Sequence, residues 1–306
     1  MSADPSPSKD QPVVSSGVTL VVPAYNEENG IEGVVRRLLG LGWQGPFELL
    51  VVNDGSSDGT KAVLDRLRGE FRQLHVIEHE RNRGYGAALR TGFEAAEHEI
   101  VVITDADGTY PEDRIGELVQ LVRDGADMAV GARTGDAVHI PLVRRPAKAA
   151  LRMLASYLAG TRIPDLNSGL RAIRRELVQR YAAILPDGFS FTTTITLASL
   201  TNGHRVRYLS IDYAPREGRS KIRPFRDTLG FLGLIVRTVL YFNPLKVFYP
   251  VAGLLGLCVS LSVLFDLFWI EGAPNLSDKT VLLFVALVQI LTLGMIADLI
   301  DKKSRL

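Results

Sequence analysis

The sequence predicts an α/β protein: a mainly parallel sheet flanked by helices, then an interfacial amphipathic helix and a two-helix transmembrane hairpin. Three observations carry this. Short β-branched runs alternate with longer helical patterns through the first two thirds of the chain, polar carboxylate-bearing loops follow three of those runs, and two long uncharged stretches lie near the C-terminus. The 306 residues suffice for one large domain or two ordinary ones, and 46% hydrophobic with 23% charged residues excludes a disordered or collagen-like chain. With 35 Lys and Arg against 34 Asp and Glu, the net charge of +1 argues against a generally nucleic-acid-binding surface, so no nucleic acid is expected as a partner. The mean hydropathy of +0.12 is high for a soluble enzyme, because the apolar residues are concentrated near the C-terminus.

In chain order, residues 1–17 are rich in Ser, Pro and Asp and lack an apolar stretch, so they read as a disordered leader rather than a signal peptide. Residues 18–22, 49–53, 75–78, 100–104 and 128–131 read as strands. Helix-start signals come next at Asn26 with Glu27 and Glu28, at Ser57 with Asp58, and at Pro111 with Glu112 and Asp113. Repeated β-α-β order implies a parallel sheet covered on both faces, with ligand collected at the strands' C-terminal ends.

The loops at those strand ends therefore matter most. Pro23-Ala24-Tyr25-Asn26-Glu27-Glu28 ends the first strand, Asn53-Asp54-Gly55-Ser56-Ser57-Asp58-Gly59-Thr60 the second, and Asp105-Ala106-Asp107-Gly108 the fourth. Singly, each has a structural explanation, with Asn26 and Ser57 as helix caps and the glycines as turn residues. Three in register on successive strand ends point to a ligand site. Asp105 and Asp107 bracket one residue beyond a buried strand, where two carboxylates repel unless a positive charge joins them. A divalent metal, magnesium or manganese, bound through oxygen and shared with a diphosphate, supplies that charge. Asn82-Arg83-Gly84-Tyr85-Gly86-Ala87-Ala88 is similar to a Gly-rich phosphate loop but lacks the full dinucleotide or P-loop pattern, and reads as a tight turn into a helix. The five His residues have no metal spacing, and no Ser-His-Asp or Cys-His arrangement is present.

Between the strands and the uncharged stretches, Phe225, Leu229, Leu232, Ile235, Val236, Val239 and Leu240 recur at helical spacing. Two readings stand open: a helix lying on the membrane, or one packed against the catalytic part or a neighbouring subunit. Residues 247–265 and 280–296 carry no charge, and each run reaches the ~20 residues that span a bilayer. Their near-lack of polar faces argues against two buried helices of a soluble domain. Residues 205–246 hold nine basic and three acidic side chains, and Lys302, Lys303 and Arg305 come after the second span, whereas the loop between the spans has only Glu271, Asp278 and Lys279. The positive-inside rule then places both flanks in the cytoplasm. Cys258, the one cysteine, lies inside the first span and reads as packing. The expected parts are a leader (1–17), a catalytic domain (18–223), a juxtamembrane helix (224–243), the hairpin (245–300) and a cytoplasmic tail (301–306).

The Pro23–Glu28 segment, Asn53-Asp54-Gly55-Ser56 and Asp105-Ala106-Asp107 together resemble the nucleotide-sugar site of family 2 glycosyltransferases with the GT-A fold. Asn167-Ser168-Gly169-Leu170-Arg171 and Arg216-Glu217-Gly218-Arg219-Ser220-Lys221 make the chain similar to the polyprenyl-phosphate branch, that of dolichol-phosphate mannose synthases and bacterial undecaprenyl-phosphate glycosyltransferases. The resemblance implies that Pro23, Tyr25 and Glu27 line the nucleotide pocket, that Asp54 contacts base or ribose, and that Asp105 and Asp107 hold metal and diphosphate. It places Asp165 near the acceptor, in an orienting or structural role. Mannose synthases usually carry Leu-Gln after the aspartate pair, where this chain has Gly108-Thr109, and this weakens the case for a mannose donor. An acceptor lipid phosphate suits Arg forks and backbone donors, which points to Arg133, Ser168, Arg171, Arg219, Ser220 and Lys221. Arg174 and Arg175 read instead as a solvated helix face or lipid-headgroup contact. Phe189 to Ile195 reads as a helix start under the acceptor site.

The implied reaction moves a sugar from a nucleotide sugar to polyprenyl phosphate at the cytoplasmic membrane face, with inversion. A phosphomonoester, with its second pKa of about 6, is already a competent nucleophile at neutral pH. Membrane lipid is a further partner, and homo-oligomerisation is an expectation of the resemblance alone. The alternatives are another lipid or glycan acceptor, or a catalytically silent nucleotide-sugar-binding membrane subunit, against which the intact Asp105 and Asp107 count.

Overall fold

The computed structural model describes residues 17–43, 45–135, 145–188, 190–214, 224–269 and 276–304. Residues 1–16 of the expected leader and the Arg219-Ser220-Lys221 segment lie outside them, as do Phe189 and Arg144.

β1 (Val18–Ala24), β2 (Phe47–Asn53), β3 (Leu74–Glu78) and β4 (Ile100–Ile103) form the parallel part of the sheet, with β1 between β2 and β4. β1 and β4 are buried along their whole length, as expected of parallel strands covered on both faces. β5 (Met128–Arg133) pairs in parallel with β7 (Val206–Ile211), and β6 (Arg171–Arg174) runs antiparallel between β4 and β5. The sheet has seven strands in the order β3-β2-β1-β4-β6-β5-β7.

β6 and β7 are not among the strands expected from sequence. β6 has four residues with Arg at both ends, and β7 sets Arg207 between apolar neighbours, so neither carries a β-branched run. Arg171, the last residue of the Asn167–Arg171 motif, opens β6.

α1 (Ile31–Leu39), α2 (Thr60–Glu70) and α4 (Ile115–Arg123) contribute to one apolar core, and α3 (Tyr85–Ala95), α6 (Arg175–Tyr181) and α7 (Phe191–Thr201) to a second. A third, smaller core joins α5 (Arg145–Ala159), α7 and α8 (Pro224–Phe242) through Leu158, Leu197, Ile235 and Val239. Between the two readings left open for α8, its described residues therefore support packing against the catalytic part, with Arg237 outward. Arg174 and Arg175 do not form a merely solvated face. Arg174 pairs with Glu99 and donates to Val122 O, and Arg175 donates to Ala96 O.

α9 (Leu245–Trp269) and α10 (Asp278–Ser304) pack against each other, and their apolar side chains otherwise face outward: Leu254 is 64% exposed, Phe268 75% and Leu282 69%. Core helices of a soluble domain would bury those side chains; helices solvated by lipid would not. α10 runs four residues beyond the expected end at Ile300. The loop end of the pair is closed by Asp266, whose Oδ2 accepts from Ser277 N (2.8 Å), Ser277 Oγ (2.8 Å) and Thr280 Oγ1 (2.6 Å).

Candidate active site

β1 and β2 are paired so that Ala24 lies opposite Asn53, and their loops leave the sheet side by side. Asn26 adopts a φ of +56°, a left-handed conformation that Asn tolerates when its side chain bonds locally. Its Oδ1 accepts from Ser57 N (2.8 Å), and its own N–H donates to Ser56 Oγ (3.0 Å). Glu27 N donates to Thr60 Oγ1 (2.9 Å), and Gly59 N to Glu28 Oε2 (2.7 Å). The groups expected to cap their own helices instead stitch the two loops together; α1 and α2 begin after Gly30 and Gly59 without such caps. Pro23 is buried in β1, Glu27 is half-buried and Tyr25 is exposed at the rim.

Asp54 differs from expectation. It is 3% exposed, and its carboxylate points into the protein: Oδ1 accepts from Arg83 N (2.9 Å) and lies 2.7 Å from His79 Nδ1, while Oδ2 accepts from Gly84 N (2.8 Å). His79 Nε2 in turn meets Thr91 Oγ1 at 2.9 Å. The side chain organises the turn into α3 rather than facing an open base or ribose pocket.

After β4, Ala106 turns inward while Asp105 and Asp107 stay half-buried. Gly108 has a φ of +67°, which lets the chain fold back so that Asp107 Oδ1 accepts from Thr109 Oγ1 at 2.7 Å. Asp105 Oδ1 accepts from Tyr85 OH at 3.0 Å. Gly169 lies near the same carboxylate, and a Cβ there would stand 2.9 Å from both Asp105 oxygens. Gly169 N donates to Tyr110 OH (2.7 Å). Burial first, and the Asp105 charge second, push the Tyr85 and Tyr110 hydroxyls above the usual phenol range, so both remain protonated.

Beside this lies the pair Arg133–Asp165. Arg133 Nε and Nη2 donate to the two Asp165 oxygens (2.7 and 2.9 Å), Arg133 N adds a third bond (3.1 Å), and the guanidinium stacks on Tyr213. Burial alone would raise the Asp165 carboxyl, but the Arg133 fork outweighs it and holds the group at about 2. Burial also opposes the Arg133 charge, and Asp165 more than restores it.

Two expected acceptor-phosphate residues are interior. Ser168 and Arg171 are fully buried. The Arg171 guanidinium donates to Ser168 O, Thr192 O (3.2 Å) and Thr196 Oγ1 (3.0 Å), so it braces the Asn167–Leu170 loop against α7. The Thr-rich start of α7 serves this polar interior, with Thr193 Oγ1 donating to Asn167 Oδ1 (2.6 Å). The structure thus brings together Asp105, Tyr85, Tyr110 and Gly169, with Arg133–Asp165 adjoining through the same loop. Tyr85 and Tyr110 are not among the site residues expected from sequence; the signal for Tyr85 is an aromatic set between two glycines at a helix start.

Among the described residues no three His, Cys, Asp or Glu side chains converge. The protein offers two carboxylates, an all-oxygen set suited to magnesium or manganese, whose remaining positions substrate phosphates commonly fill. That donor set fits such a cation.

A family model described as glycosyl transferase family 2 matches residues 19–182. The chain belongs to glycosyl transferase family 2. A second model, the GtrB C-terminal hairpin, matches residues 243–302 of this family member. It is 31% identical over 213 residues to a polyprenol monophosphomannose synthase of Mycolicibacterium smegmatis, covering 66% of this chain and 80% of the relative. An undecaprenyl-phosphate 4-deoxy-4-formamido-L-arabinose transferase of Pseudomonas savastanoi pv. phaseolicola is 30% identical over 277 residues, 88% of this chain and 80% of the relative. Among solved structures, glucosyl-3-phosphoglycerate synthase of Mycobacterium tuberculosis, in complex with Mn2+, uridine diphosphate and phosphoglyceric acid, superposes with a TM-score of 0.57 at 22% identity, over 74% of this chain and 78% of that one. That likeness carries the GT-A-type fold.

Proposed function

We propose that this glycosyltransferase moves a sugar from a nucleotide diphosphate donor to polyprenyl phosphate, with inversion, at the cytoplasmic face of a membrane. The observation that carries the reading is the Asp105-Ala106-Asp107 turn, set against Gly169 and the Arg133–Asp165 pair, in a domain joined to two lipid-facing helices. Relatives named for polyprenol and undecaprenyl phosphate support the acceptor class.

Residues 25–28 and 54–60 frame the nucleotide, with Tyr25 at the rim and Asp54 fixing the turn beneath it. Asp105 and Asp107 hold the magnesium or manganese ion, which when bound neutralises the leaving diphosphate. Arg133, its plane fixed by Asp165, orients the acceptor phosphate, whose anionic oxygen attacks the anomeric carbon in line. Asp165 stays ionised through this and serves as an orienting group rather than a base. Ser168 and Arg171 act from the interior by setting the loop that carries Gly169. Arg219, Ser220 and Lys221 belong to the basic segment before the spans and guide the anionic lipid toward Arg133.

Purified full-length protein incubated with a panel of nucleotide sugars and polyprenyl phosphate, with and without chelator, tests the reading. One donor should yield an acid-labile lipid-linked product that chelation abolishes; no product from any donor would contradict it.

A further inference from the structure

We infer that Tyr85 is a positioning residue of the transfer reaction, fixing the Asp105 carboxylate through its hydroxyl. This rests on the reading of Asp105 as a ligand of the metal and diphosphate. The hydroxyl lies 3.0 Å from Asp105 Oδ1, and Gly169 lies near enough that a Cβ there would stand 2.9 Å from both oxygens of the same carboxylate. The hydrogen bond fixes one carboxylate oxygen, and the space beside the carboxylate is open because position 169 carries no side chain.

The phenol is itself held on both flanks. Arg83 N and Gly84 N, just before it, donate to Asp54, and Asp54 is braced by His79. Just after it, Ala87 N donates to Asp187 O (3.0 Å). Gly84, at a φ of +105°, lies so close to the next chain segment that a Cβ would stand 2.6 Å from Asp187 O, and a Cβ on Gly86 would overlap Pro186 O. Both glycines are thus required by the close approach that seats Tyr85 between them. The arrangement gives Asp54 an indirect part in the reaction: it holds the turn that holds Tyr85.

A neutral hydroxyl suits this task. Lys or Arg at the same place would orient Asp105 equally well but cancel the charge that a cation needs. Phe at position 85 keeps the ring that packs against the second core and deletes the hydroxyl that donates to Asp105.

The test compares wild type with Tyr85→Phe in detergent. Mn2+ binding is measured by electron paramagnetic resonance of the free ion in the presence of UDP or GDP, alongside kcat and the KM for donor and for polyprenyl phosphate. A hydrogen bond to a charged group has the strength to change binding by about tenfold. The variant should bind Mn2+ with nucleotide about tenfold more weakly and lose about tenfold in kcat, with its ligand-free melting temperature and its KM for polyprenyl phosphate unchanged. Gly169→Ala, which crowds the same carboxylate, should shift Mn2+ binding the same way. Unchanged Mn2+ binding and turnover in Tyr85→Phe would overturn the inference. If wild type turns over without binding any metal, the metal reading fails instead; Tyr85 then stands or falls on the donor KM and kcat, and unchanged values overturn it.

Discussion

Asp165 and Arg133 show how burial and pairing divide the work at a single position. The carboxyl is held at about 2, below its ordinary value of 3.8, so the pair's contribution to stability is fully present above about pH 4 and is lost as the pH falls toward 2. Asp165→Asn should leave Arg133 without its counter-charge, lower stability by about 3 kcal/mol and flatten the acid limb of the melting temperature between pH 4 and 2. Scanning calorimetry across that range checks both. Arg171 is the contrasting case, a buried guanidinium satisfied by carbonyl and hydroxyl oxygens, and Arg171→Ala should lower the melting temperature and turnover together. The place of Asp105 and Asp107 just beyond a buried strand was legible because the apolar run of β4 stops before them. The inward turn of Asp54 was not, because it depends on where residues 79–84 lie in space. The interior place of Arg171 was hidden for a similar reason: besides Ser168 O, its partners are Thr192 and Thr196 on α7, distant along the chain.

At the scale of elements, β1, β2, β4 and β5 were legible as apolar runs, the composition of strands covered on both faces, and the edge strand β3 as a shorter run with exposed His75 and Glu78. β6 and β7 escaped because short strands with Arg at their ends or on an exposed face lack that signal. The 3.6-residue pattern of α8 identified the helix but not its neighbour; Ile235 and Val239 meet Leu158 and Leu197 only once the chain has folded. The hairpin carries a feature that hydropathy does not show. Asp266 closes the α9–α10 turn by accepting three hydrogen bonds, and Ser262 Oγ meets Thr280 Oγ1 at 2.6 Å beside it. Asp266→Ala should destabilise the turn by about 1–2 kcal/mol while leaving sugar transfer in detergent within twofold of wild type. Limited proteolysis of the 270–277 connection, together with a transferase assay, separates the two effects.

For the whole molecule, a net charge of +1 averages over unlike parts: residues 205–246, from the last strand to the start of the first span, hold nine cations and three anions, and the remainder is acidic on balance. Charge asymmetry across the hairpin predicts that a cysteine introduced at Asn275 is labelled by an impermeant maleimide from outside intact cells, and one introduced at Ser304 only after permeabilisation. The sheet order places Asp105 and Asp107 at the switch between β1 and β4, where an α/β sheet opens to ligand. The most direct test of the account tracks a radiolabelled sugar from its nucleotide donor into a polyprenyl-phosphate product extractable into organic solvent, for wild type and for Asp107→Ala. Metal-dependent label in the lipid phase for wild type, reduced at least a hundredfold in the variant, is the predicted result. Equal incorporation by the two proteins, or incorporation that survives chelation, would contradict it.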